Sequence, residues 1–94
     1  MSYFVYIIQS QKTKGYYVGQ TENVELRLLH HNADNNSHFT FRDKPWILRV
    51  FLECSNRTHA MKLEIFIKKQ KSSVFINKII AFEQVRQSLI LKFK

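Results

Sequence analysis

The sequence predicts a small α/β domain of the α+β kind, a three-stranded antiparallel sheet flanked by helices in the order β-β-α-β-α-α. Three observations predict it. Two short runs of β-branched and aromatic residues are joined by a polar stretch that ends in Gly15, which is typical of a hairpin. A third such run begins after the only proline, and apolar residues recur at helical spacing in the remaining segments. With 94 residues the chain can build one core, which indicates a single domain.

The three predicted strands cover residues 3–8, 16–20 and 46–53. The first is apolar throughout, so we expect it to be buried on both faces of the sheet. Gly19 lies inside the second strand, where glycine marks a bulge or a close approach of another group to the backbone.

Asn23 is a good N-cap for a first helix, and Glu25 would favour its N-terminal end. The helix should end near Asn32, because turn-forming residues follow it. We expect its apolar face to consist of Val24, Leu26, Leu28, Leu29 and His31.

A second helix, capped by Ser55 or Thr58, should run to about Gln70. Ser72 or Ser73 can cap a third helix, with an apolar stripe of Phe75, Ile79 and Phe82. The sequence leaves open whether this helix breaks near Glu83 or continues. We therefore predict one domain at residues 1–82 and a helical extension of the same domain at 83–94.

Charge indicates a polyanionic partner. The net charge is +8, and residues 35–94 hold all of the excess, with twelve basic and four acidic side chains. Such a surface favours nucleic acid, against a merely solvated basic surface or, less favoured, an anionic membrane surface. The lone Cys54 excludes an internal disulfide, and we find no targeting signal and no apolar run long enough to span a membrane. These features predict a cytoplasmic protein without a membrane partner.

Glu64 is the only acid in the apolar segment 60–67. A carboxylate on a packed face needs a cation, which a bound metal or the protein can supply. The alternative is an ion pair with Lys68 at i+4, or simple exposure.

Arg27 and His31 form another i, i+4 pair, either as a phosphate clamp or as a solvated helix edge. Tyr6 and Tyr17 lie in the two hairpin strands, where a tyrosine usually belongs to the core with its hydroxyl at the rim.

The order of these residues resembles the GIY-YIG nuclease family. Val5-Tyr6 stands where the first motif of that family ends, with Phe4 in place of its glycine. Tyr17-Val18-Gly19 resembles the second motif, and the two tyrosines lie 11 positions apart, a spacing typical of the family. The residues that match the positions directly after this motif are Thr21, Asn23, Arg27, His31 and Asn32. Glu64, which precedes the basic pair Lys68-Lys69, matches the glutamate that the family has on a later helix.

The resemblance covers about residues 3–80 and is closest to the small stand-alone branch of the family. The domain is also similar to the N-terminal incision domain of bacterial excision-repair nuclease. The family resemblance implies a metal-dependent DNA endonuclease that acts in DNA repair or recombination. It also implies that Gly19, Thr21 and Asn23 are structural residues of the motif.

In the chemistry that the resemblance implies, Glu64 holds one Mg²⁺ or Mn²⁺ and Arg27 offsets charge on the scissile phosphate. Tyr6 or Tyr17 takes the proton from water, and His31 is an alternative base or a phosphate contact. Because a phenol has a pKa near ~10, we expect cationic surroundings to lower it.

DNA is the predicted partner, with sequence-independent phosphate contacts from Arg42, Lys44, Lys68, Lys69 and Lys71. Two alternatives stay open at this point. The chain could be a non-catalytic nucleic-acid-binding module, or a nuclease subunit that needs a protein partner and works only in a larger assembly.

Overall fold

A computed structural model of the chain describes residues 2–33 and 42–94. Residues 1 and 34–41 lie outside the described residues. The elements, in chain order, are β1 (Tyr3–Ser10), β2 (Tyr16–Thr21), α1 (Val24–Asn32), β3 (Trp46–Cys54), α2 (Arg57–Gln70), α3 (Ser73–Ala81) and α4 (Glu83–Phe93). The predicted α+β fold with its three-stranded antiparallel sheet is confirmed, and the C-terminal region contributes two helices.

Strand β1 is central, with β2 on one side and β3 on the other, both antiparallel to it. Tyr6 pairs with Gly19 and Ile8 pairs with Tyr17. Since alternate residues of a strand point to the same face, Tyr6 and Tyr17 lie on one face of the sheet. Strand β2 forms one edge of the sheet, and this determines which helices can reach the two tyrosines.

The sheet separates two apolar clusters, as expected for a β1 that is buried on both faces. One cluster joins Val5 and Ile7 to α2, α3 and α4 through Leu63, Ile79 and Leu89. On the opposite face, Tyr6, Ile8 and Trp46 pack with the apolar side of α1 and with Tyr17.

Helix α1 begins and ends as the sequence predicts, but its apolar face is narrower. The side chain of Asn23 accepts a hydrogen bond from the Leu26 N–H, which confirms it as the N-cap. The prediction that Leu26 and Leu29 belong to the packed face is wrong, because these side chains are 63% and 67% exposed. A helix of nine residues touches the sheet only along Val24, Leu28 and His31, and the other two leucines point away.

The cap of α2 is Asn56 and not Ser55 or Thr58, because the Asn56 side chain accepts a hydrogen bond from the His59 N–H. The Ser55 N–H donates to Nδ1 of His59, and Nε2 of the same buried ring bonds the Ile90 carbonyl in α4. The start of α2 is therefore tied to the last helix. Ser72 caps α3, one of the two predicted candidates.

The C-terminal region breaks into two helices at Phe82, although no glycine or proline is present there. The Arg86 guanidinium donates hydrogen bonds to the carbonyls of Ile79 (2.7 Å) and Ile80 (2.9 Å), so the last carbonyls of α3 have partners without helix continuation. Phe82 is 52% exposed, contrary to its predicted place on a packed stripe. The domain boundary at residue 82 stays a prediction.

No helix within the described ranges is long and apolar enough to cross a membrane.

Candidate active site

Tyr6 lies at the centre of the candidate site, on the middle strand, with only 2% of its surface exposed. Its hydroxyl oxygen is hydrogen-bonded to Nε2 of His31, 2.8 Å away, and His31 is fully buried. Gly19 faces the phenol from β2, and a Cβ on that glycine would lie 2.5 Å from the Tyr6 hydroxyl oxygen. The close approach predicted for Gly19 is thus the approach of the Tyr6 side chain.

Tyr17 closes the site on the edge strand. Its ring centroid lies 6.4 Å from that of Tyr6 and 5.0 Å from that of His31, in an edge-on arrangement with the imidazole. Trp46 packs behind these rings, with centroids 6.3 Å from Tyr17 and 6.4 Å from His31. The sequence predicts only that Trp46 begins the third strand, because the residues next to it in the sequence give no sign of a role in the site.

The start of α1 fixes where Arg27 and His31 project. The Thr21 hydroxyl accepts a hydrogen bond from the Asn23 N–H and donates one to the Asn23 carbonyl. At the other end of the helix, the Asn32 side chain accepts from the Trp46 N–H and donates to the Trp46 carbonyl. Both ends of α1 are therefore anchored, and His31 lies against Tyr6 in one register.

Glu64 and Lys68 form an ion pair on α2, with 2.6 Å between the carboxylate oxygen and Nζ. The Glu64 side chain is 14% exposed and that of Lys68 is 47% exposed, so the carboxylate is the better covered partner. The ammonium group also lies 5.6 Å from the centroid of the Tyr17 ring. The ion pair with Lys68 that the sequence offered as an alternative for Glu64 is thus present, and it lies beside Tyr17.

Helix α2 packs on the face of the sheet opposite to α1, yet Glu64 is close enough to influence Tyr6. Burial raises the pKa of Tyr6 most, and the neighbouring Tyr17 and Glu64 raise it further, while the Arg27 guanidinium opposes them. The expectation of a lowered phenol pKa is wrong for Tyr6, because desolvation outweighs the nearby cation.

The structure therefore brings together Tyr6, Tyr17 and His31 in direct contact, with Arg27 and Glu64 within electrostatic range of Tyr6. Among the predicted nucleic-acid contacts, Lys68 belongs to this group. Lys69 and Lys71 follow it on the surface, and Lys71 ends α2 in the left-handed conformation (φ 47°). The exposed Arg42 and the half-buried Lys44 lie just before β3, where the Arg42 carbonyl accepts a hydrogen bond from Lys12 of the hairpin turn.

A cavity next to this group was not predicted from the sequence. It is lined by Tyr3, Gln20, Thr21, Glu22, Arg27 and Arg57. Arg57 follows the cap of α2 directly and carries no motif that would single it out among fifteen basic residues.

A hairpin presents two tyrosines to a histidine and an arginine on the next helix, and a later helix adds a carboxylate within electrostatic range. The family model of the GIY-YIG catalytic domain matches residues 2–79. The chain therefore belongs to the GIY-YIG family, as the motif spacing indicated.

Two relatives support the small stand-alone branch. UPF0213 protein SH2523 of Staphylococcus haemolyticus is 35% identical over 66 residues, which cover 70% of this chain and 79% of that protein. UPF0213 protein YsiG of Lactococcus lactis is 36% identical over 98 aligned residues, which cover 98% of this chain and 91% of that protein. No solved structure matches the chain.

The contact between Gly19 and Tyr6 generates a stability prediction. Gly19→Ala places a Cβ within 2.9 Å of two ring carbons and the hydroxyl oxygen of Tyr6, which His31 holds in place, so we expect the free energy of unfolding to fall by about 2 kcal/mol. Gly15→Ala is the matched control, because its Cβ meets only the Thr13 hydroxyl at 3.3 Å on an exposed turn. Urea denaturation measures both, and equal losses would contradict the close packing of Gly19 on Tyr6.

Proposed function

We propose that this chain is a metal-dependent DNA endonuclease that hydrolyses phosphodiester bonds. The observation that carries the proposal is the buried hydrogen bond between Tyr6 and His31, formed within range of both Arg27 and Glu64. Membership of the GIY-YIG family supports nuclease chemistry in general. The roles of individual residues are inferred from their positions.

Tyr6 and His31 together form the proton acceptor for the attacking water. A buried phenol whose pKa is raised stays protonated, so it cannot act as a free phenolate. Its hydrogen bond to His31 offers another route: the phenol passes its own proton to the imidazole as it accepts one from water. Tyr17, half-buried beside both rings, positions the water and the substrate.

Arg27 stabilises the negative charge that develops on the phosphate in the transition state. It projects from α1 on the side of Tyr6, where its positive charge lowers the pKa of the phenol and opposes the increase caused by burial, Tyr17 and Glu64. Guanidinium groups suit this role because they stay charged and can bind two phosphate oxygens at once. The position therefore fits the phosphate clamp better than a solvated helix edge.

Glu64 is the residue that would hold a divalent cation. No group of three metal-ligating side chains occurs within the described residues, which argues against a zinc-type cage. Mg²⁺ and Mn²⁺ need less protein, because Mg²⁺ binds through one or two carboxylates together with waters and substrate phosphates. A cation there would supply Lewis-acid charge for the departing 3′ oxygen.

The ammonium group of Lys68 forms an ion pair with the Glu64 carboxylate, the group that would bind the cation. The ion pair neutralises Glu64 in the ligand-free chain, and the exposed ammonium can move aside at modest cost. Once released, Lys68 lies next to Tyr17, where it can contact a substrate phosphate. Lys68 is therefore both a competitor for Glu64 and a candidate phosphate contact.

The basic surface supplies the affinity for DNA. Lys69 and Lys71 lie at the end of α2 near Lys68, and Arg42 and Lys44 form a second group before β3. Contacts of this kind are sequence-independent, so binding should weaken steeply with salt. The proposal includes a role in DNA repair or recombination. It also includes flapped or branched DNA as the substrate and action as a subunit of a larger assembly.

A non-catalytic nucleic-acid-binding module is the second candidate. The ion pair with Lys68 favours it, since Glu64 already has a cation and needs no metal for its burial. This candidate and the nuclease differ in one property, cleavage that requires both a divalent cation and Glu64.

The first functional test is nicking of supercoiled DNA with Mg²⁺, Mn²⁺ or EDTA. We expect metal-dependent nicking by the wild type, none by Glu64→Gln, and a loss of ~10²-fold or more for Arg27→Ala. In EDTA, Glu64→Gln should bind DNA as tightly as the wild type or more tightly, because a carboxylate repels phosphate. If the wild type cuts no flap, branched or nicked DNA above the Glu64→Gln background, the stand-alone enzyme is wrong and the binding module or the assembly-dependent subunit replaces it.

A second test assigns the two tyrosines. Tyr6→Phe keeps the ring and removes the hydroxyl that bonds His31, so cleavage should fall by ~10²-fold or more with DNA affinity unchanged. Tyr17→Phe is the matched control and should cost less, mainly in KM. A larger kcat loss for Tyr17→Phe would reverse the two roles.

A third test concerns the competition at Glu64. Lys68→Met removes the competing ammonium, so we expect Mn²⁺ to bind about 5-fold more tightly, as measured by the electron paramagnetic resonance signal of free Mn²⁺. Lys69→Met removes an equal charge from the next side chain, which forms no ion pair with any residue that the structure describes, and should change the affinity less. Equal effects of the two substitutions would show that only net charge matters.

A further inference from the structure

A cavity of about 290 Å³ lies at the end of β2, beside the candidate active site, and neither Tyr6 nor Tyr17 belongs to its lining. Arg27 lines it and also acts on Tyr6, so one guanidinium is shared by the two places. Arg57, in the first turn of α2, is the second cation of its lining.

The lining of this cavity carries more positive than negative charge. Among the described residues, neither Arg27 nor Arg57 forms an ion pair, and Glu22 is the one carboxylate in the lining. The first turn of α2 holds no acidic side chain, whereas α1 and α4 begin with Glu25 and Glu83. The positive end of the α2 dipole therefore adds to the two guanidinium groups.

The wall of the cavity also holds an unused hydrogen-bond acceptor. The Gln20 side-chain oxygen is buried and has no hydrogen-bond partner within the described part of the chain. A buried polar atom without a partner costs about 1–3 kcal/mol, so a bound group that donates a hydrogen bond would relieve it. A phosphodiester has no hydrogen-bond donor, but a nucleobase of the same strand does.

We propose that this cavity binds one nucleotide of the substrate strand next to the cleaved bond, with Arg57 holding its backbone phosphate. The inference rests on the proposed function, because Arg27 then spans two successive phosphates, the scissile one beside Tyr6 and the neighbouring one beside Arg57. Two guanidinium groups match the planar, two-point recognition that phosphate oxygens allow. Glu22 limits the affinity by repulsion, which favours release of the product.

The experiment measures DNA binding in EDTA, where no cleavage occurs, by fluorescence anisotropy of a labelled duplex with a single-stranded flap. The proteins are the wild type, Arg57→Ala, Arg57→Lys and the control Lys78→Ala, which removes an exposed charge on α3 that lies outside the cavity. Each is titrated over a range of salt concentrations.

Arg57→Ala should weaken binding by about 5- to 10-fold at low salt and lower the log-log salt slope by about one unit, since one phosphate contact is lost. Arg57→Lys should keep the slope, and Lys78→Ala should keep both slope and affinity. Glu22→Gln should tighten binding a few-fold. In cleavage, Arg57→Ala should raise KM more than it lowers kcat.

An unchanged salt slope for Arg57→Ala overturns the inference, and so does an equal loss for Lys78→Ala. Failure of the proposed function looks different: the wild type would then cut no DNA with Mn²⁺, while the change in slope at Arg57 would persist and show a nucleotide-binding cavity in a non-catalytic protein.

Discussion

The hydrogen bond between Tyr6 and His31 is the constraint on which the arrangement of the site depends. Both side chains are buried, so a phenol or imidazole without its partner would lose about 1–3 kcal/mol of stability. The bond exists only if Gly19 leaves room for the phenol and if α1 enters in the right register. Thr21 and Asn23 set that register at one end of α1, and Asn32 holds the other end against β3. Residues far apart in the sequence thus serve a single contact.

The position of β2 at the edge of the sheet explains how so small a fold gathers residues from both of its faces. Helices α1 and α2 lie on opposite sides of the sheet and could not meet across its centre. At the edge they can, because Lys68 of α2 reaches the ring of Tyr17 while α1 covers Tyr6. A wider sheet with another strand beyond β2 would separate the carboxylate from the phenols.

The sequence predicted the structure correctly where one residue type has one physical use. Gly19 in a strand signalled a close approach, Asn23 signalled a helix start, and the spacing of Tyr6 and Tyr17 identified the family. It failed where the outcome depends on neighbours in space. Leu26 and Leu29 have the hydrophobicity of core residues, but a nine-residue helix has only one packed edge.

Two further features also depend on neighbours in space: the helix break that the sequence leaves open, and the phenol pKa, for which the expectation is wrong. The break at Phe82 depends on Arg86, which supplies donors to the end of α3 from the following helix, and no local pattern shows this. The pKa of Tyr6 is raised mainly by burial. The sequence shows which cations are near Tyr6 but does not show how far the phenol is removed from water. The sequence could therefore name residues that meet around Tyr6, but not the protonation of the phenol or its hydrogen bond to His31.

Charge balance connects the resting site with its proposed ligands. In a chain of net charge +8, Glu64 carries its own counterion in Lys68. A divalent cation alone would displace Lys68 and leave excess positive charge, and a phosphate alone would bring negative charge towards Glu64. When both bind, the cation takes Glu64 and the phosphate takes Lys68, which leaves one excess positive charge in place of the two that the cation alone would leave. The electrostatics of the pair therefore favour joint binding of metal and DNA over binding of either one by itself.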